Sequence, residues 1–285
     1  MTQLASSTEA LITSSENNTK TKAVRPAQQL RAKKARMLLY QIIVGVILLA
    51  LWQLGSTTGV LDTFFFSEPT MVFSRIVEWF ATGSIYTHLI ATTQATLLAF
   101  IIGVLGGMAF GVLFGRVDFL AQLFDPFIKM INALPRLVLA PIFLLWFGIG
   151  IGSKVALAAT LVFFVVFFNT LEGMRSVPRV LVNNSKMLGA SEWQLLKSVY
   201  LPSAVSWIFS SLHTSVGFAI TGAVIGEYLG AFRGIGYVIA QAQGTFDTTS
   251  VFAGMVVLMV FVLIIEYFIT LAEKRLLRWR AVGTN

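Results

Sequence analysis

The chain has 285 residues, of which 56% are hydrophobic and 12% charged, with a net charge of +8. A soluble domain is usually about 45–50% apolar and about 25% charged, so this composition points to a chain solvated by lipid. With no cysteine and only two histidines, His88 and His213, it excludes a disulfide framework, a thiolate metal site and a zinc site with several histidine ligands.

Residues 1–36 are polar and rich in Ser, Thr, Asn, Lys and Arg. They lack an apolar face to offset the entropy of ordering, and they predict a disordered basic tail. The tail does not read as a cleavable signal peptide, because the apolar run that follows is long enough to span. A bilayer core about 30 Å thick takes a helix of about 20 apolar residues. The first such run is 37–57. Residues 58–91 form a mixed loop, in which Met71, Ile76, Val77, Trp79 and Phe80 suit either a short interfacial helix over 70–81 or a loop with aromatic anchors.

The second span is 92–115. The third, 120–148, is interrupted by Pro126, Pro135 and Pro141. The fourth is 154–171, followed by a polar and amphipathic stretch, 172–202. The fifth is 203–227, the loop 228–249 is Gly-rich, and the sixth is 250–272. Residues 273–285 form a second basic tail with Lys274, Arg275, Arg278 and Arg280. The fold class is therefore all-α, a polytopic membrane protein of about six transmembrane helices.

The basic residues flank the apolar runs, which marks them as topology signals instead of a nucleic-acid surface. With the N-terminal tail in the cytoplasm, the inner segments hold 16 of the 21 Lys and Arg residues, against Arg75, Lys154 and Arg233 outside. Lys129 and Arg136 lie within the third span. An even number of spans places both basic termini in the cytoplasm.

Three features carry mechanism. Gly103, Gly107, Gly111 and Gly115 recur every fourth residue and share one helix face, as do Gly222, Gly226 and Gly230. Such a face admits a second backbone at close range, either within the subunit or across a subunit seam. In the 172–202 stretch, Val180, Leu181, Met187, Leu188, Trp193, Leu195, Leu196 and Val199 fall at roughly helical spacing. Gly189 divides two short helices there, and Ser191 is placed to cap the second. Such a segment either rests on the membrane surface or docks a soluble partner. Finally, ionisable groups at membrane depth are costly and face a cavity or one another. Asp125 and Lys129 predict an i,i+4 structural pair near the cytoplasmic surface. Asn132, Arg136, His213 and Glu227 are candidates to line a translocation path. Packing is the competing role for Arg136 and the favoured one for His213.

The 172–202 stretch resembles the cytoplasmic signature of permeases that work with a separate ATPase: Glu-Ala-Ala, three residues, Gly, nine residues, Ile, one residue, Leu-Pro. Here Gly189 is followed by nine residues and then Val199, Tyr200, Leu201 and Pro202, and Leu188-Gly-Ala-Ser191 is typical of the signature. Asn183, Asn184 and Ser185 replace the opening triplet, so the acidic residue is missing. The runs Leu139-Ala-Pro-Ile-Phe-Leu-Leu-Trp-Phe-Gly-Ile-Gly150, Gly226-Glu-Tyr-Leu-Gly230 with Gly234-Ile-Gly-Tyr237, and Glu273-Lys-Arg-Leu-Leu-Arg-Trp-Arg280 are similar to the nitrate/sulfonate/taurine-type branch of binding-protein-dependent importers.

The resemblance covers about 85–281 and implies the type I ABC importer permease fold in a bacterial inner membrane. It implies a homodimer of permease subunits, two ATP-binding subunits and a periplasmic or lipid-anchored solute-binding protein. The solute would be a small anion, a sulfonate, nitrate or a pyrimidine-like compound. Leu188, Gly189, Ala190, Ser191, Trp193, Leu201 and Pro202 would couple to the ATPase. The chain itself would be no enzyme and hold no cofactor, with ATP and magnesium bound by the partner. In keeping with this, no G-x-x-x-x-G-K-[ST] run occurs, and Gly148-Ile-Gly-Ile-Gly-Ser-Lys154 lacks its Lys-Ser/Thr ending. The alternative is a secondary transporter driven by an ion gradient, though no repeat between the halves is evident. An intramembrane enzyme lacks its nucleophile–base pair, and a pure scaffold would need no polar residues within its spans.

Overall fold

The computed structural model describes Lys33 and residues 36–276, and these are helical, with no strand among them. Most of the predicted N-terminal tail and the residues after Leu276, including Arg278 and Arg280, lie outside the described residues. Five described helices are long and apolar enough to cross a bilayer, or six if one sharply bent pair is a single span. The chain divides into two compact units, Met1–Pro69 and Thr70–Asn285.

In the first unit, α1 (Arg36–Thr57) is 22 residues of nearly unbroken apolar side chains. At about 1.5 Å per residue it matches the bilayer core. Its aliphatic side chains from Leu38 to Leu54 are exposed, as suits a helix whose solvent is lipid. The turn after it is closed by backbone and hydroxyl bonds: Leu61 N donates to Gly55 O (2.8 Å) and Ser56 Oγ to Ser67 O (2.9 Å). Asp62 then caps the short α2 (Thr63–Phe66), accepting from Phe64 N.

The second unit begins at Thr70, one residue into α3 (Pro69–Thr82), a helix where the sequence admits either helix or loop. The following helix α4 (Ser84–Arg116) starts eight residues before the predicted span, so 84–91 is helix and not loop. Next come α5 (Asp118–Ala133), a 3-10 turn (Arg136–Leu139) and α6 (Ala140–Phe147). The predicted third span is thus not one helix but a pair bent by 88°. The break is at Pro135 alone: proline disfavours the helical region for the residue before it, and Leu134 is extended (φ −66°, ψ 130°). Pro126 is carried inside α5, and Pro141 sits in the first turn of α6, where no amide donor is needed.

The remaining elements are α7 (Ile151–Arg175), α8 (Arg179–Met187), α9 (Glu192–Leu195), a π-helical turn (Leu196–Tyr200), α10 (Leu201–Leu229), α11 (Ile235–Gly244) and α12 (Thr248–Leu276). From α9 through α10 the chain is one helical run, Glu192–Leu229, so the predicted fifth span begins a full elbow earlier than 203. Pro202 lies inside this run. It lacks an N–H and crowds the carbonyl four residues back, and the wider π turn just before it accommodates that defect.

The core is built from small residues, because lipid gives helices no hydrophobic reason to associate and close backbone approach must supply it. Helix α7 is gripped on two sides. On one, a Cβ placed at Gly103, Gly107, Gly111 or Gly115 of α4 would stand 2.6–2.7 Å from Val162 Cβ, Phe163 O, Thr170 Cβ or Met174 Cβ. On the other, a Cβ at Gly222 of α10 would stand 2.5 Å from Ala158 Cα, and one at Gly173 of α7 would stand 2.9 Å from Ala204 Cα. Ala95, Ala99, Ala158, Ala159 and Ala223 fill the seam between them. The glycine stripes therefore pack within the subunit.

Outside the spans, Arg75 of α3 is tied to the start of α12. Its guanidinium donates to Asp247 (3.2 Å) and Ser250 Oγ (3.0 Å), while Asp247 caps the helix by accepting from Ser250 N and Oγ. Burial alone would raise the Asp247 carboxyl, but the Ser250 hydrogen bonds and the Arg75 charge outweigh it and hold the group below its ordinary 3.8. A carboxylate depressed in the folded state stabilises it at pH values above the unfolded pKa, and that contribution fades as pH falls through the folded pKa. Asp247→Asn is therefore expected to lower the melting temperature at neutral pH and to flatten its decline below about pH 4, the usual carboxylate range, in a pH series of thermal melts on purified protein.

Candidate functional site

The segment between α7 and α10 folds into an elbow. Helix α8 ends in a Schellman motif: Gly189 N donates to Lys186 O and Ala190 N to Ser185 O, both at 3.0 Å. The motif requires a left-handed residue, and Gly189 supplies it with φ +81°. A Cβ at Gly189 would meet nothing within 4 Å, so its demand is conformational and not steric. Two residues later Ser191 starts α9 with a capping box: Ser191 N donates to Gln194 Oε1 (2.7 Å), and Gln194 N to Ser191 Oγ (3.3 Å).

The elbow has two faces. Leu195 is fully buried with Val177 and Val199, with Ala190 and Tyr200 packed on them, so one face is anchored to its own subunit. The other face is bare. Met187 is 86% exposed and Leu188 89%, and Val180 near the start of α8 and Trp193 in α9 are also exposed. At the tip, Leu188, Gly189, Ala190, Ser191 and Trp193 fall within six consecutive residues, while Leu201 and Pro202 lie beyond the π turn, on the shaft of the helix.

A charge clamp holds the elbow to the end of α4. Arg116 pairs with the Glu192 carboxylate and also donates to the Glu192 carbonyl (3.3 Å), and its guanidinium lies 5.6 Å over the Tyr200 ring. Lys186 approaches Glu192 from α8 at 3.5 Å. An exposed pair of this kind contributes little stability, about 0.2–1 kcal/mol. It joins the end of α4 to the start of α9. Arg116→Glu is expected to leave the amount of folded protein unchanged and cut transport at least fivefold. The double variant Arg116→Glu with Glu192→Arg is expected to recover most of it in the same uptake assay.

At the other end of the spans, Glu227 of α10 is 2% exposed. Its Oε2 accepts from Thr92 Oγ1 (2.9 Å) and Gly236 N (3.0 Å), and Thr92 in turn accepts from Ile235 N (2.9 Å). The glycines on either side explain themselves by distance. A Cβ at Gly234 would collide with the Glu227 carboxylate, and one at Gly236 would collide with Val224 O. His88 Nδ1 accepts from Gly234 N (3.2 Å), and its ring stacks on Tyr237. Lys154, 3% exposed, packs on Gly226 and donates to the carbonyls of Ile149 and Gly150. Lys154 and Glu227 attract each other across one wall of a cleft of about 510 Å³ between the starts of α4 and α7 and the end of α10.

Residues 103–278, which include the whole elbow and the loop around Glu227, match the family of binding-protein-dependent transport system inner membrane components. The chain belongs to this family. The permease is similar to the riboflavin transport system permease protein RibX of Chloroflexus aurantiacus, 33% identical over 236 residues that cover 83% of this chain and 88% of the relative. It is 30% identical to the putative aliphatic sulfonates transport permease protein SsuC of Bacillus subtilis (84% and 87% covered). It is 29% identical to the taurine transport system permease protein TauC of Escherichia coli (82% and 86% covered). In fold it resembles a chain of the MetNI methionine ABC transporter in an inward-facing conformation, with a TM-score of 0.54 at 20% identity over 67% of this chain and 93% of that one. It is accordingly a multi-pass inner-membrane permease subunit of an ABC importer with the type I fold, in the branch that includes sulfonate and taurine permeases.

The permease does not gather the four path candidates into one site. Arg136 donates to Asn132 Oδ1 (2.5 Å) and to Ile131 O (3.1 Å), and its guanidinium lies 4.4 Å over the Phe164 ring. A cation there closes the carbonyl end of α5, where the helix dipole favours it. His213 lines an apolar recess between α4, α10 and α12 with Thr96, Phe100 and Phe268. Glu227 belongs to the distant cleft. Asp125 and Lys129 pair at 2.6 Å. Among the described residues no cluster of three or more His, Cys, Asp or Glu side chains is placed to hold a metal. The sequence does not mark Lys154, Thr92, His88 or Arg116 as site residues. For Lys154 the available signal is a lone cation opening an apolar run, and for Arg116 a lone cation at a three-residue turn.

Proposed function

We propose that this permease works as a homodimer with two ATP-binding subunits, which hold the ATP and magnesium, and with a periplasmic or lipid-anchored solute-binding protein. Both termini and the 172–202 elbow face the cytoplasm. The observation that carries the proposal is the bare apolar face of the elbow, Val180, Met187, Leu188 and Trp193, on a tip held rigid by a Schellman motif and a capping box. A large apolar surface at the water boundary suits a protein partner, and the distribution of Lys and Arg supports its cytoplasmic side. The family's acidic residue, replaced by Asn183, is not required for such a contact, which rests on apolar and backbone groups.

In this reading ATP-driven closure of the partner subunits moves the elbow, and the clamp to α4 passes the motion to the spans. The cycle follows from differential affinity for two permease states and involves no chemistry in this chain. The solute is a small anionic compound of the sulfonate, nitrate or pyrimidine-like class that the sequence resemblance implies, and the sulfonate and taurine permeases among its relatives support the sulfonate part of that reading. Because the chain has no native cysteine, a single cysteine at Leu188 reads its side directly. A membrane-impermeant maleimide is expected to label it in inverted vesicles and not in intact cells. Labelling from outside overturns the orientation. Uptake that survives ATP depletion while the ion gradient is kept overturns the ABC mechanism in favour of a secondary transporter.

A further inference from the structure

The cleft beside Glu227 has the makings of a solute site. It is open, holds about 510 Å³, and is lined by Lys154, Glu227, Arg233, Gln94, Thr87 and Phe232 among others. Two cations and one carboxylate around a cavity make a locally positive site with an acceptor in its wall. Glu227 uses only Oε2 in its bonds to Thr92 and Gly236, and no described group donates to Oε1. Lys154 spends two of its three donors on the Ile149 and Gly150 carbonyls and keeps one. Arg233 and Phe232 are exposed in the loop after α10, where no described hydrogen bond or ion pair engages the guanidinium. Buried charges of this kind are expensive within a membrane and are retained where they face a polar cavity.

We propose that this cleft binds a small organic anion that also carries a hydrogen-bond donor. The acidic group would lie between Arg233 and Lys154 and the donor against Glu227. The inference rests on the permease reading and adds to it the residues that select the solute within the membrane subunit. Two cations against one carboxylate disfavour a purely cationic ligand. The carboxylate in the wall disfavours an acid without a donor. Discrimination on that second feature follows from the cost of leaving a buried acceptor unpaired.

The test uses the full-length permease with its ATP-binding subunits in detergent, without nucleotide, and three probes: 2-aminoethanesulfonate, ethanesulfonate and ethanolamine. Binding is read by isothermal titration. The expected order is saturable binding of 2-aminoethanesulfonate, at least fivefold weaker binding of ethanesulfonate, and none of ethanolamine. Arg233→Gln, at an exposed site that cannot unfold the core, is expected to weaken 2-aminoethanesulfonate at least fivefold. Glu227→Gln is expected to bring the two sulfonates to equal affinity, and its folding is checked by elution profile. Absence of saturable binding of either sulfonate, stronger binding of ethanolamine, or an unchanged affinity in Arg233→Gln overturns the site. Intact ATP-dependent uptake alongside any of these would leave the permease reading standing and defeat the cleft alone.

Discussion

Gly107→Leu is expected to remove the folded permease from the membrane. The Cβ of any side chain at 107 would stand 2.7 Å from Phe163 O and 3.0 Å from Phe167 N. Both are backbone atoms of α7, so no rotamer change relieves the contact, and α4 must separate from α7 along its length. Overpacking a core costs about 1–3 kcal/mol when side chains can adjust, and here they cannot. Gly217 provides the contrast, because a Cβ there meets nothing within 4 Å. Gly217→Ala is expected to be neutral or slightly stabilising through helix propensity. Fluorescence-detected size exclusion reads the outcome: a lost monodisperse peak for Gly107→Leu and an unchanged one for Gly217→Ala. A normal peak for Gly107→Leu would refute the packing described for α4 and α7.

The double variant Leu188→Asp with Trp193→Ser is expected to abolish uptake while the protein inserts and melts normally. Both side chains are mostly exposed, Leu188 at 89% and Trp193 at 68%, so their loss costs the fold little. At an apolar contact with a partner, a buried unpaired carboxylate is severe. Co-purification of the ATP-binding subunit should fall at least tenfold. Gly189→Leu separates shape from contact. Its side chain has open space, but a φ of +81° costs a branched residue about 1–2 kcal/mol. That strain is expected to reorient the tip and reduce uptake strongly with insertion retained. Gly189→Asn, which tolerates the left-handed region, should retain more. Full uptake by the Leu188→Asp, Trp193→Ser variant would remove the elbow from the power train.

What the sequence reveals follows from the range of the forces involved. The fold class is legible because apolar length is a local property: the run 92–115 lies within α4, and 154–171 within α7. Capping is local too, which is why Ser191 is readable as a helix start. The 88° bend is not legible, because three prolines look alike in composition and only Pro135 follows a residue that the chain leaves extended. Nor does sequence show Lys154 as a buried residue. It sits beside a glycine loop and reads as an outer boundary cation, and its burial comes from Gly226 on a helix more than seventy positions away. Arg136 differs in the opposite sense: a cation in an apolar run suits a conduit or packing, and its partners here are Ile131 and Asn132 at the end of the preceding helix α5 and a phenyl ring.

The double grip on α7 limits how this protein can change shape. A helix that touches main chain on both flanks has no slack for sliding or rotation, because each glycine notch admits only the residue now seated in it. Helices α4, α7 and α10 must then travel as a single rigid body. The freedom needed to open one side of the membrane while sealing the other falls to the joints around that body, chiefly the kink at Pro135.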